Sequence, residues 1–425
     1  MGWRARPPAP SAASAIAAAG LAAIAAAWLL WGGTGLARTA APADSAGPAP
    51  VPTSSAHAAP APTHAAPSPP APAFRPADWE TLYTGLPEAT HLAPLVRIRY
   101  NRVDGPALHL GGAVVNEREL HPLLYAAIGY AFSREGFLYD VGFDAPLGDR
   151  RRFRIVGSAY RRTATEDGWI VGETENTFFA LFGRTDYRDH YEAEGIDGSV
   201  RWEPGRDFAL GVGAVSEDVR SLANETKFSI FGKEDEFRAN PPIQDGKEGV
   251  LSIFGRIGPS PLPLTGGTNG EITYERAGSP IEGDSEYGRL RGAAHTRLRL
   301  SPRQEARVRA IGGSTVDGDL PPQKLWHVGG IGTLRGHEYK QFGGDQFLLA
   351  NAEYYLLARK NVWTFAFLDW GAAWLGKDNL PRQQFALDGG VGIRLGEGPI
   401  SVTAARNLQR SDAPVLVGVR LGGSF

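Results

Sequence analysis

The 425-residue chain has no cysteine and a single methionine. Without thiols it can close no disulfide, carry no thiolate nucleophile and offer no cysteine ligand to a metal. Net charge is −2 at pH 7, so no global field draws the chain to nucleic acid. Beyond the first 40 residues no apolar run reaches the length of a membrane-spanning helix. Also missing are a Gly-x-Ser-x-Gly elbow, a His-Glu-x-x-His pair and a phosphate-binding loop. These absences predict no enzyme, no cofactor and no metal centre. What the chain has in quantity is glycine, 54 residues, with 10% aromatics. That mixture suits many strands joined by tight turns.

The N-terminus reads as a targeting segment. Arg4 and Arg6 precede the apolar stretch Ala12–Trp31, and small residues follow at Gly35–Ala37 and Thr39–Ala41. Residues 1–40 are therefore assigned to a signal peptide, with a retained membrane anchor as the alternative, since the run approaches spanning length. Residues 41–77 are an Ala/Pro-rich linker with too little apolar bulk to repay the entropy of folding. His57 and His64 lie within it, with no other ligand type nearby. A short periplasmic segment, 78–96, leads to the last region, 97–425.

That region alternates. In Tyr287–Leu300, the residues Leu290, Gly292, Ala294, Thr296, Leu298 and Leu300 share one face. Arg289, Arg291, Ala293, His295, Arg297 and Arg299 share the other. A helix would scatter these arginines around its circumference, whereas a strand gathers them on one side. Phe385–Leu395 and Val415–Phe425 repeat the pattern. A soluble sheet would need something to cover the apolar face. A transmembrane antiparallel β-barrel, an all-β fold, leaves that face to lipid and the charged face to the lumen. Strands are expected to begin near 107, 122, 136, 151, 175, 191, 207, 248, 268, 287, 304, 346, 361, 384, 399 and 414, about sixteen in all. Tight connections such as Ser301–Gln304 and Ala358–Asn361 follow even-numbered strands, and the longest, Ser221–Lys247 and Thr315–Asp345, follow odd-numbered ones. Short turns on one rim and long loops on the other fit a barrel in the outer membrane. Two connections, Thr163–Thr174 and Gly258–Gly267, are long on the short side.

The loop before the twelfth strand carries the most specific signal. Gly329, Gly330 and Gly332 lead into Leu334, Arg335, Gly336 and His337, followed by Glu338 and Tyr339. One strand beyond stands Phe367-Leu368-Asp369-Trp370-Gly371, and the twelfth strand holds Asn351, Glu353 and Tyr355 on one face. Carboxylates face lipid only at high cost, so Glu353 and Asp369 are expected in the lumen. The planar fork of Arg335 suits a bidentate contact with such a carboxylate.

These residues resemble the BamA-like superfamily of outer-membrane assembly and secretion barrels, the bacterial surface-antigen family. The resemblance implies a sixteen-stranded barrel with this loop folded into the lumen. Its hallmark is an Arg-Gly-aromatic tripeptide, here with His337 in the aromatic place, paired to the acidic residue of a Phe-x-Asp-x-Gly strand. It thus implies a lock of Arg335, Gly336 and His337 with Glu353, Asp369 and Gly371. Phe425 matches the terminal aromatic that the barrel assembly machinery reads during insertion. Arg97–Gly105 resembles the lead-in of stand-alone members. Assembly and secretion members carry domains that capture client polypeptides before the barrel; here the chain departs from the family, and a stand-alone barrel without them is expected.

The function expected is envelope biogenesis or protein or lipid translocation in the outer membrane of a Gram-negative-type bacterium. The alternative is a passive pore or structural barrel. Expected partners are outer-membrane lipids, the assembly machinery and a periplasmic protein, with no nucleic acid. A lumen wall of Arg289, Arg291, Arg297, Arg299, Arg307 and Arg309 is a candidate site for anionic solute or headgroups, against the plainer reading that acidic residues on the in-folded loop, Asp388 or Glu353 neutralise it.

Overall fold

Alternation along the chain resolves into one continuous antiparallel sheet. The computed structural model describes residues 91–115, 123–147, 152–205, 207–232, 236–259, 266–377, 385–396 and 400–421. The expected signal peptide, the linker, residues 78–90 and Phe425 lie outside the described residues. The strands are β1 (His91–Asn101), β2 (Gly105–Val115), β3 (Leu123–Ala131), β4 (Gly136–Leu147), β5 (Phe153–Ala164), β6 (Tyr191–Gly205), β7 (Phe208–Ser221), β8 (Gly246–Ile257), β9 (Gly267–Ala277), β10 (Tyr287–Ser301) and β11 (Gln304–Gly318). After a two-stranded ribbon, β12 (Trp326–Val328) with β13 (Phe342–Gly344), the sheet resumes. It ends with β14 (Gln346–Arg359), β15 (Val362–Trp374), β16 (Ala386–Leu395), β17 (Ile400–Asn407) and β18 (Leu416–Leu421). The sixteen strands of the large sheet pair in chain order from β1 to β18.

Two expectations about these elements are corrected. The first strand begins at His91, inside the stretch expected as a separate segment, and precedes the strand counted first. The strand expected from residue 175 is instead a helix, α1 (Glu173–Gly183), in the connection from β5 to β6. Its run of Thr177, Phe178, Phe179, Ala180, Leu181 and Phe182 has no period of 2. The two errors cancel in the count but not in the rims. With β1 in place, the connection that contains Thr163–Thr174 belongs to the long-loop rim, and so does the tight turn Ser133–Gly136. Only the stretch between β8 and β9 stays long on the short rim.

Period 2 sorts side chains between two solvents. Ile98, Phe137, Val391 and Val417 are 74%, 63%, 61% and 73% exposed on the outer face. Arg99, Asp140, Arg154, Glu217, Glu248, Glu305 and Asp388 are buried on the inner one. In water the outer face would be an aggregation surface, whereas hydrocarbon is its proper solvent. Strands β4 to β11, with β14 and β15, run 11 to 15 residues. A tilted transmembrane strand needs about 9–11. Aromatics mark both rims. Tyr130 packs edge-on against Phe132 and Phe137 at the β3–β4 turn, and Trp202 packs on Phe208 at the β6–β7 turn. Such girdles sit at the two membrane interfaces. The molecule is a transmembrane antiparallel barrel, with the connection from β11 to β14 folded into its lumen.

Candidate functional site

The in-folded connection begins at Gly318 and turns inward through a short 3-10 turn at Pro322–Lys324. The β12–β13 ribbon carries it into the lumen. Its apolar side is a core of its own. Leu334 and Val328 are fully buried with Trp326, Phe347, Leu349 and Ile311. At the tip, Gly330 and Gly332 adopt φ of +74° and +76°, a left-handed backbone that glycine enters without penalty. There the N–H of Gly330 donates to Leu334 O at 2.8 Å, and the N–H of Gly329 donates to Thr333 Oγ1 at 2.8 Å.

Beneath the tip, the sheet register lines up one polar residue from each of five neighbouring strands. Arg309 pairs across with Asn351, Asn351 with Asp369, Asp369 with Asp388, and Asp388 with Asn407. The loop lies along this row and meets its residues in order. Arg309 Nη2 donates to Gly332 O at 2.5 Å, and Asn351 Nδ2 donates to Thr333 O at 2.8 Å. Arg335 then meets Asp369 with Nε at 2.8 Å to Oδ2 and Nη2 at 2.6 Å to Oδ1. Its third nitrogen, Nη1, reaches Glu353 Oε1 at 2.6 Å, and its guanidinium lies 3.5 Å over the Phe367 ring. The N–H of Gly336 donates to Asp388 Oδ2 at 2.7 Å. His337 closes the row, with Nδ1 3.1 Å from Asp388 Oδ2 and Nε2 3.0 Å from the Asn407 amide. A proton on Nδ1 satisfies both neighbours.

Asp369 is fully buried, with 0% exposure. Both of its oxygens are used, since Asn351 Nδ2 donates to Oδ1 at 2.8 Å. Glu353 is braced by the Tyr355 hydroxyl at 2.6 Å. A Cβ on Gly336 would stand 2.5 Å from the carbonyl carbon of Arg406 and 2.7 Å from Asn407 N, so only glycine fits between loop and wall. Gly371 lies outside the contact set. A Cβ there would stand 2.5 Å from Leu348 O, which makes it a packing residue between β14 and β15.

Beyond the row, the connection from β5 to β6 holds the loop. Lys340 Nζ lies 2.7 Å from Asp167 Oδ2 and 2.6 Å from Asp189 Oδ2, and the Tyr339 hydroxyl donates to Tyr187 O. Lys324 Nζ reaches Glu166 at 2.9 Å and Glu248 at 3.0 Å.

Five of the six wall arginines pair with carboxylates, though with partners other than the residues expected. Arg289 meets Glu275 and Glu166, and Arg291 meets Glu271 at 3.2 Å. Arg297, Arg299 and Arg307 converge on Glu305. Asp388 and Glu353 serve the loop instead, and so does Arg309. Sequence reasoning missed Asn351, Asp388 and Asn407 as a set, because only register joins residues so far apart in the chain.

A sixteen-stranded sheet with one loop locked inside invites comparison with known proteins. Residues 262–414 match the Omp85 superfamily domain. That stretch, from just before β9 into the β17–β18 connection, carries the Omp85 superfamily domain, and the fold is that of a BamA-like barrel. Residues 86–253 match a C-terminal domain family of unknown function, DUF5686. The first match ends within β8 and the second begins before β9, and the ladder between these two strands is continuous. Among solved structures, BamA from Haemophilus ducreyi lacking POTRA domains 1–3 aligns at 13% identity with a TM-score of 0.53, covering 78% of this chain and 69% of that one. CdiB from Acinetobacter baumannii and from Escherichia coli each align at 16% identity with a TM-score of 0.43 and 79% of this chain covered. The chain spans 60% and 63% of those two proteins. No curated protein matches the sequence.

Proposed function

We propose that this Omp85 barrel acts in the outer membrane in envelope biogenesis, moving or inserting protein or lipid, rather than as an open pore. The observation that carries this reading is the loop tied to the inner wall. The connection 319–345 is tied to five strands of the wall, and a pore gains nothing from such a plug. Beside it lies a cavity of about 350 Å³ whose lining carries both signs of charge, including Arg97, Arg289, Lys324, Glu217, Glu248 and Glu275. A wall of mixed sign holds its own counterions and sets up no one-way field for a solute.

In this reading the lock from Arg335 to Asp369 and Glu353 is a structural tie that fixes the loop while the barrel works. Five arginines of the wall pair with neighbouring carboxylates, and no anionic ligand is assigned to them. Two measurements test the reading. Fractionation should place the mature chain with the outer membrane, and recovery in the inner membrane or cytosol would contradict it. In planar bilayers the purified barrel should conduct little or erratically, whereas steady, ohmic, porin-like conductance would favour the passive pore.

A further inference from the structure

Strands β1 and β18 end the sheet, and among the described residues no ladder joins them. One backbone N–H on each edge turns to helix α1. The N–H of Tyr100 donates to Thr177 Oγ1 at 3.2 Å, and the N–H of Leu421 donates to Glu175 Oε1 at 2.8 Å. Two strands from opposite ends of the sheet are thus capped by residues two positions apart on one helix. Arg420 adds Nε to Glu175 Oε1 at 2.8 Å, and Arg97 adds Nε to Glu173 Oε1 at 2.6 Å.

The helix is two-sided across the wall. Toward the lumen, Asn176 donates to Asp186 at 2.8 Å and Phe179 packs edge-on against Tyr187. Away from it, Phe178 is 43% exposed and packs tilted against Phe182 with centroids 4.6 Å apart. A second segment, Thr226–Phe231, joins that face. Its Ile230 and Phe231 N–H groups donate to Leu181 O at 2.8 Å and Phe182 O at 3.0 Å. Phe228 and Phe231 are 61% and 74% exposed. This lobe runs into the apolar band of β1. Tyr100, in the outward series with Val96 and Ile98, is buried with Ala180 of α1, and its hydroxyl donates to Phe228 O at 2.6 Å.

We propose that α1 and Thr226–Phe231 form part of the barrel wall at the seam between β1 and β18, presenting Phe178, Phe228, Ile230 and Phe231 to the acyl chains of the bilayer. Continuity with the lipid-facing residues of β1 selects the partner. An edge strand in hydrocarbon has no water to satisfy its N–H groups, and polar side chains of a helix can take that place. The aromatic face then meets lipid as the neighbouring strands do.

The absence of cysteine makes the test clean. Single-cysteine variants Phe231→Cys and Phe178→Cys would be spin-labelled and reconstituted in phosphatidylcholine vesicles. Ile98→Cys serves as the lipid-facing control and Asp412→Cys, in the exposed β17–β18 connection, as the aqueous one. Collision with oxygen, which concentrates in lipid, is compared with collision with a water-soluble nickel chelate. Labels at 231 and 178 should favour oxygen several-fold, as at 98, and if only one variant folds its reading decides. Preference for the chelate, as at 412, would overturn the proposal. The proposal rests on the barrel's seating in a bilayer, which the label at 98 reads separately. A label at 98 in water would overturn the membrane reading as well, whereas 98 in lipid with 231 and 178 in water would overturn only this one.

Discussion

Two connections enter the barrel from the same rim, and they are held in different ways. The one after β11 lies on an unbroken ladder, from β11 to β17, and is contacted by every strand it crosses. The one after β5 carries a helix whose polar side chains tie two strands that, among the described residues, do not pair with each other. The first anchor depends on a rigid register. The second is as steady as the edges it bridges. Stability in such a molecule is therefore uneven, with the lock on the continuous wall at the high end and the seam at the low end.

The difference can be broken from either side. The largest effect is expected at the lock. Asp369→Ala leaves the Arg335 guanidinium buried without its bidentate partner, a loss of about 3–5 kcal/mol in a dry core. Glu353 stays within reach and the lumen admits water, so about 3 kcal/mol is expected here, read as faster proteolysis within 319–345. Next comes Gly336→Ala. Its Cβ would stand 2.5 Å from the Arg406 carbonyl carbon, and overpacking of this kind costs about 1–3 kcal/mol. The same proteolysis assay checks it, and unchanged resistance would show that the tip has room to move.

A smaller effect is expected at the seam. Glu175→Gln keeps the shape and one acceptor but removes the charge that Arg420 and Leu421 share. A loss of about 1–2 kcal/mol should follow, seen as faster amide exchange at Leu421 and Tyr100 with the 319–345 loop still protected. Equal loosening of both connections would erase the contrast between ladder and seam.

The smallest effect is with pH. Burial alone would raise the Glu166 carboxyl, but Lys324 and Arg289 outweigh it and hold it at about 2. An unfolded glutamate titrates near ~4.3. A group depressed on folding contributes its stability above the unfolded value and loses it as pH falls toward the folded one. Burial opposes the charge on Asp186 too, and His190 and Arg102 together keep that carboxyl well below its ordinary range. Thermal midpoints should therefore hold between about pH 5 and 8 and decline only below about pH 4. A decline that begins near pH 6 would assign the sensitivity to other groups.

What the sequence disclosed follows the range of each interaction. Alternation is local, so strands such as Tyr287–Leu300 are legible from neighbours alone. The first strand was hidden by Pro94, which argues against a strand interior but is tolerated at an edge, where β1 lies. The pairing of Arg335 with Asp369 was legible because a family pattern links positions 34 residues apart. Asn351, Asp388 and Asn407 belong to no such pattern here. They meet the loop because register sets them in one row, and register is fixed only when the sheet exists. Helix α1 is hard to tell from a strand by its short apolar run alone, in a chain where nearly everything else alternates.

The central claim is that Arg335 and Asp369 hold the loop in the lumen as one unit. A double-mutant cycle on proteolysis of the 319–345 connection in intact cells tests it most directly. Arg335→Ala and Asp369→Ala should each expose the loop, and the double variant should lose less than the sum of the two. Single variants as resistant as the parent, or effects that simply add, would contradict the account.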